Sequence, residues 1–396
     1  MTHRPLRSYD VRERNEKLVL SLIHGTNGIS QSEVAGTTGL KPPTVFRIFS
    51  QLQRDGVIRE CSPARPAAGG KGRRPAFYCV VPESLYIIGI DFWSGSAAVV
   101  VSDFAGEAVY SEVIETPRDI AAEAVMGEIT ALVRRAVAAS GLTAEKVLGI
   151  GVGAPGIVDI GTGTIVRYPR IPGFDGYGVA ERIEEEFGWP VHVHNNTAVL
   201  ALGEYRYGCA AGHQSVMTFL IRSGVGGAFL QDGRVLTNRG RTVLEVGHMV
   251  LDPDGEGASG LGGSLEDYLS EGAVEAAVRH CGFASLSAFG EALVERGVSV
   301  SDACAELRGA ASRFAQAVHS LSNLFNPESY LIVSRHRWLS EFLAAALDEY
   351  LDSDAPGLSE GAAAVLPQTY DPRRACHGAT DLVLDRFFAR DHNFFQ

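Results

Sequence analysis

Asn195 and Asn196, in VHVHNNTAVLALGEY, set two amides side by side. An amide's nitrogen lone pair is delocalised and the group carries no charge, so neither side chain can act as a general base. Both can still donate hydrogen bonds to a hydroxyl and accept them from it. Nearer the N-terminus, Lys41, Thr44, Arg47 and Gln51 recur at near-helical spacing, and Lys71, Arg73 and Arg74 lie in a Gly/Pro-rich stretch. Such cationic and polar groups contact phosphates and base edges. Two short turns, DFWSG at 91–95 and SGVGG at 223–227, resemble in plan the backbone cradles that hold phosphates through N–H groups. There is no P-loop, and GIGVGAPG lacks the spacing of a dinucleotide fingerprint. The six cysteines (Cys61, Cys79, Cys209, Cys281, Cys304 and Cys376) show no paired spacing and read as free thiols of a reducing cytosol.

The elements that must carry these groups fall into two parts of opposite charge. Residues 1–80 hold 13 Lys and Arg against 6 Asp and Glu, whereas the remainder holds 22 against 41. An acidic body repels nucleic acid, and a basic arm of this size is an electrostatic footprint for it. Within the arm, Leu18, Val19, Leu22 and Ile23 give a first helix over Glu16–His24. Ser30 and Glu33 form a capping box for a short helix ending near Thr38. Gly39 breaks the chain, Pro42 suits a first helical turn, and Val45, Ile48, Phe49 and Leu52 stripe the next helix. Strands at Val57–Glu60 and Phe77–Val81 flank the basic loop, which completes a winged helix-turn-helix. Its second helix would present Lys41, Thr44, Arg47 and Gln51 to a major groove, and Lys71, Arg73 and Arg74 would enter an A·T-rich minor groove.

From Tyr86 the chain alternates strands and helices. YIIGIDFWSGSAAVVVSDFAGEAV and VMTFLIRSGVGGAFLQDGRVL repeat one plan of strand, turn, strand and second turn. Two copies of that hairpin imply a two-lobed α/β body with a cleft between the lobes. The expected division is 1–82 for the winged helix, 83–198 for the first lobe and 199–369 for the second. A helix over about 370–396 returns to the first lobe. The N-terminus lacks the apolar core of a signal peptide, and no apolar run approaches the ~20 residues of a membrane span. A cytoplasmic protein without membrane contact is expected.

The segments LGIGVGAPGIVD, PRIPGF, VHVHNNTAVLALGEYRYG, SGVGGAFLQDGRV, LEVGH, GGSLEDYLS, NLFNPESYLIV and GAT, in this order behind the winged helix, resemble the ROK family of repressors, open reading frames and sugar kinases. The resemblance implies an actin-like body with sugar contacts at Asn195, Asn196, Glu245, His248 and Glu266. In the family's kinases the position of Asn196 is an aspartate that removes a proton from the sugar hydroxyl.

Four departures from those kinases point one way. Asn196 is no base. The first phosphate turn, Asp-x-Gly-Gly-Thr in kinases, is Asp91-Phe92-Trp93-Ser94-Gly95, with aromatic bulk where glycine lets backbone approach phosphate. Ser334-Arg335 replaces a Gly-Gly pair under the nucleotide, and both side chains are expected to intrude there. The family's zinc cysteines are replaced by Gly257, Ser259 and Ser264, so no metal is expected, and the loop should support Glu266 by hydrogen bonds. Arg170 stands where an Asn is usual and reads either as a partner for an anionic substituent or as a surface residue. The resulting expectation is a sugar-responsive repressor of carbohydrate uptake or catabolism genes, with no catalytic residues and no cofactor. It would bind operator DNA as a homodimer or a dimer of dimers. The alternative is an ATP-dependent sugar kinase with an accessory DNA-binding domain.

Overall fold

A computed structural model describes residues 8–26, 28–62, 75–117, 120–238, 242–255, 263–352 and 363–388. The N-terminal unit runs α1 (Ser8–His24), β1 (Ile29–Ser30), α2 (Gln31–Thr38), α3 (Pro42–Arg54), β2 (Ile58–Cys61) and β3 (Phe77–Val80). The first helix is longer than its apolar stripe predicts. Ser30 and Glu33 do form the capping box, and Gly39 closes α2 at φ 70°. Val45, Ile48, Phe49 and Leu52 bury one face of α3. β3 lies between β1 and β2 in an antiparallel sheet, so a winged helix-turn-helix is the observed architecture.

The body begins with β4 (Tyr86–Trp93), β5 (Ser96–Asp103), β6 (Ala108–Glu115), α4 (Ala122–Ser140), β7 (Val147–Ala154), β8 (Ile157–Asp159), β9 (Thr164–Arg167), β10 (Tyr177–Gly178), α5 (Val179–Phe187) and β11 (Val191–Asn195). Helix α6 (Asn196–Tyr207) leads to β12 (Ser215–Ile221), β13 (Val225–Gln231), β14 (Arg234–Val235), β15 (Val250–Asp252) and β16 (Gly263–Ser264). There follow α7 (Leu265–Leu269), α8 (Glu271–His280), α9 (Leu286–Arg296), α10 (Val300–Ala303) and α11 (Glu306–Phe325). The described chain closes with β17 (Ser329–Ser334), α12 (Arg337–Asp352), β18 (Ala364–Thr369) and α13 (Pro372–Phe388). The two five-stranded sheets, ordered β6-β5-β4-β7-β11 and β14-β13-β12-β17-β18, have the same topology. In each, two antiparallel pairings precede two parallel ones. The repeated hairpins of the sequence are thus the starts of two copies of one α/β sheet.

Helix α13 returns to the first lobe and packs on β4, β7 and α6 at backbone distance. A Cβ at Gly89 would lie 2.0 Å from the Cys376 carbonyl oxygen, and one at Gly378 would lie 1.7 Å from that of Val199. Only glycine permits such approach. The far end of α13 meets the winged helix: Val383 and Leu384 share one buried cluster with Val19, Ile23, Phe49 and Tyr78. The His24 ring sits 5.1 Å from Phe104 and 5.3 Å from Phe388.

The cysteines require a correction. Cys281 and Cys304 form a disulfide, with a Cα–Cα distance of 5.6 Å, whereas Cys61, Cys79, Cys209 and Cys376 are free. Sequence spacing did not reveal the pair because packing of α8 and α10 on α11 brings their ends together. No described helix is long and apolar enough to cross a membrane.

Candidate functional site

Strand β11 ends and α6 begins at the floor of the interlobe cleft, so the junction aims Asn195 and Asn196 into a cavity of about 700 Å³. The two amides have different roles. Asn195 is the N-cap: its Oδ1 accepts from the Thr197 N–H at 2.8 Å, and its Nδ2 donates to the Gly156 carbonyl at 2.8 Å. Its own N–H donates to His194 Nδ1 at 2.8 Å, and burial lowers that ring's pKa to about 4, which keeps it a neutral acceptor. Asn196 makes no side-chain hydrogen bond with the described residues and lines the cavity.

From the second lobe, a single 3₁₀ turn over Val246–His248 places Glu245 and His248 on the cavity wall. Burial raises the Glu245 pKa, His248 opposes that, and Glu266 adds to it. Glu266, in the first turn of α7, accepts from the Val225 N–H at 3.2 Å and from Arg170 Nη2 at 2.8 Å. Gly224 admits it, since a Cβ there would lie 2.6 Å from Glu266 Oε2. Arg170, undecided from sequence, therefore spans the cleft. The zinc-like loop does not support Glu266 through Ser264, whose hydroxyl bonds Asp267 in a capping box instead. Gly257 and Ser259 lie outside the described residues. Among the described residues no group of three or more His, Cys, Asp or Glu side chains is placed to hold a metal.

A stack of aromatic and guanidinium groups stands beside the turns at 91–95 and 223–227. Trp93, 5% exposed, has the Arg222 guanidinium 5.1 Å and the Arg335 guanidinium 5.0 Å from its ring centroid. Arg222 also lies 4.7 Å from the Tyr370 ring, with Nη1 3.7 Å from Asp91 Oδ2. Tyr370 donates to Asp91, and Arg335 donates to Glu271 at 2.8 Å. Burial pushes the Asp91 pKa up to about 6, against the opposing pull of Arg222 and of the Tyr370 hydroxyl. Arg335 reaches into the cleft against Trp93, but Ser334 does not. It is buried at the end of β17, where its Oγ accepts from the His336 N–H at 3.2 Å. Arg222 and Tyr370 went unnoticed in the sequence because the groups they meet are remote in the chain.

On the winged helix, Lys41 and Arg47 are exposed, Thr44 is half-buried, and Arg47 makes no ion pair among the described residues. Gln51 is committed locally, donating to the Asp55 carboxylate at 2.9 Å and accepting from Arg54 Nη2 at 2.8 Å. Phe46, which the apolar stripe did not mark, is 61% exposed beside Arg47. Lys71, Arg73 and Arg74 lie outside the described residues, beyond β2 and before β3.

The ROK family model matches residues 87–386, three-quarters of the chain. The chain belongs to the ROK family. A winged helix-turn-helix DNA-binding model matches residues 12–59. The chain is similar to a xylose repressor of Caldicellulosiruptor bescii, at 23% identity over 86% of this chain and 88% of the relative. It is equally similar to the N-acetylglucosamine repressor of Escherichia coli, at 23% identity over 87% and 86%. Among solved structures, a ROK family transcriptional regulator, a homologue of the Escherichia coli MLC protein, shares this fold, winged helix included. Its TM-score is 0.73 at 22% identity, covering 96% of this chain and 97% of that one. A ROK family glucokinase from Streptomyces griseus, solved with glucose and AMPPNP, covers 75% of this chain and 98% of its own, with TM-score 0.63 and 25% identity.

Proposed function

We propose that this ROK protein is a sugar-responsive transcriptional regulator, a repressor of carbohydrate uptake or catabolism genes, whose sugar-kinase-like body binds without phosphorylating. The observation that carries the reading is one cleft that Asn196 lines without a side-chain hydrogen bond to the described residues and in which Arg222 and Arg335 flank Trp93; by the family resemblance these would be the base and phosphate positions. Asn195, Asn196, Glu245, His248 and Glu266 would take the hydroxyls of the sugar, since carboxylates accept from vicinal diols and amides and imidazole both donate and accept. Arg47 and Lys41 would face the operator, with Lys71, Arg73 and Arg74 on the wing. The functional division is 1–82, 83–198 and 199–369, with about 370–396 returning to the first lobe.

The protein would act as a homodimer or a dimer of dimers, because operator symmetry mirrors protein symmetry. Sugar bound between the lobes favours one interlobe angle. If that angle misplaces the paired winged helices, sugar and operator oppose each other by linkage.

Gel-shift titration of an inverted-repeat operator with and without sugar, alongside ATP turnover across a sugar panel, tests this. Sugar should lower operator affinity, His248→Ala should keep DNA binding and blunt the sugar response, and turnover should stay at background. Asn196→Asp alone should not restore turnover, because Trp93, Arg222 and Arg335 remain. Robust turnover by the unmodified chain overturns the reading.

A further inference from the structure

Past Trp93 the cleft opens into a second cavity of about 650 Å³. Trp93, Arg170 and Ser223 line both chambers, so the two adjoin along that trio. The far walls carry Ser270, Glu271, Glu275, Ser285, Ser287 and His336. A polyphosphate fits these walls poorly. Two carboxylates would repel it, and both lining arginines are already engaged, Arg335 with Glu271 at 2.8 Å and with the Trp93 ring, and Arg170 with Glu266 at 2.8 Å. A polyhydroxylated ligand fits them well. Serine hydroxyls both donate and accept, and each carboxylate keeps an oxygen for a sugar hydroxyl after its one ion pair among the described residues, Glu271 with Arg335 and Glu275 with Arg279. The first chamber alone is of the size that buries a drug-sized ligand, so one sugar ring needs no second chamber.

We propose that the second chamber is a further saccharide subsite and that the effector is an oligosaccharide of two or more units, running past Trp93 from one chamber into the other. Arg170 sits at the junction. Its bond to Glu266 occupies one donor of the fork, leaving others for the hydroxyls or ring oxygens of adjacent units. The inference rests on the sugar-sensing reading and gives it a ligand class.

The test compares matched pairs at equal concentration: xylose with xylobiose, glucose with cellobiose, and N-acetylglucosamine with diacetylchitobiose. Thermal shift and calorimetry of the full chain provide the readouts. At least one disaccharide should bind about tenfold or more tightly than its monosaccharide. Ser287→Trp, which fills the second chamber from an exposed position on α9, should erase that advantage and leave the monosaccharide shift intact. Should that variant fail to fold, Glu275→Gln removes a charged acceptor without adding bulk and should cut the advantage several-fold. If monosaccharides bind as well as their dimers, or the dimer's advantage survives both variants, this inference falls and the sugar-sensing reading stands. It falls in the same way if AMPPNP alone stabilises the chain and competes with the dimer. If no saccharide of either length binds, both fall.

Discussion

Asp91 and Arg222 reach each other from opposite lobes, and both are almost completely buried, at 1% and 5% exposure. Removing one partner of a buried pair leaves the other uncompensated, which typically costs about 3–5 kcal/mol. Arg222→Ala should therefore destabilise the protein, and the size of the loss should depend on pH. Asp91 already titrates at about 6 in the folded state, above its ordinary 3.8, so its ionisation works against folding as pH rises through that window. Without Arg222 that pKa rises further. The variant's deficit should be smallest below pH ~6, where Asp91 is protonated in both chains, and grow as pH rises above it. Denaturant midpoints of both chains at about pH 5 and pH 7.5 check this, and a deficit that grows on acidification contradicts it. At this scale the sequence was only partly legible. Trp93 and Arg335 stood out because each replaces a glycine in a recognisable turn. Arg222 did not, since its partners Asp91 and Tyr370 lie far away along the chain. The difference between Asn195 as a helix cap and Asn196 as a cavity wall also depends on where β11 ends.

Among the elements, α13 is held by side chains that it and its neighbours lack. A methyl group at Gly378 would meet the Val199 carbonyl oxygen at 1.7 Å and the Gly203 nitrogen at 2.6 Å, both backbone atoms that cannot swing aside. Gly378→Ala should cost about 3 kcal/mol by overpacking. Gly36, exposed within α2, is the control, because a methyl group there would meet nothing within 4 Å. Gly36→Ala should gain about 0.5–1 kcal/mol from helix propensity. Chemical denaturation separates the two, and similar effects would mean that α13 has room to shift. The Ser30–Glu33 capping box, the α3 stripe and the duplicated hairpins were readable, because local spacing encodes them. The common topology of the two sheets and the Cys281–Cys304 bond were not, since strand order and helix packing join residues that no local period relates.

For the molecule as a whole, charge and topology place an acidic body behind a basic reader. Arg47 is exposed and unpaired among the described residues, whereas Gln51 is already bonded to Asp55 and Arg54. Arg47→Ala should weaken specific operator binding by about 1–3 kcal/mol and relax sequence preference, as for a base-reading arginine. Gln51→Ala should cost less than about 1 kcal/mol, because its amide must first give up partners it already has. Gel shifts at fixed salt rank the two, and the reverse order would mean that α3 enters the groove by its C-terminal end.

The return of α13 also bears on how the protein is made. The winged helix and the strands β4, β5 and β7 leave the ribosome early, yet the helix that packs against them at backbone distance is synthesised only after the entire second lobe. At roughly 5–20 residues per second the wait is on the order of tens of seconds. During that interval the apolar face that will receive Cys376, Ala379 and Val383 has no native cover. A message cut short beyond β18 would yield a chain with its DNA reader complete and its first lobe still open, so quality control in the cell has most reason to act on the unfinished product.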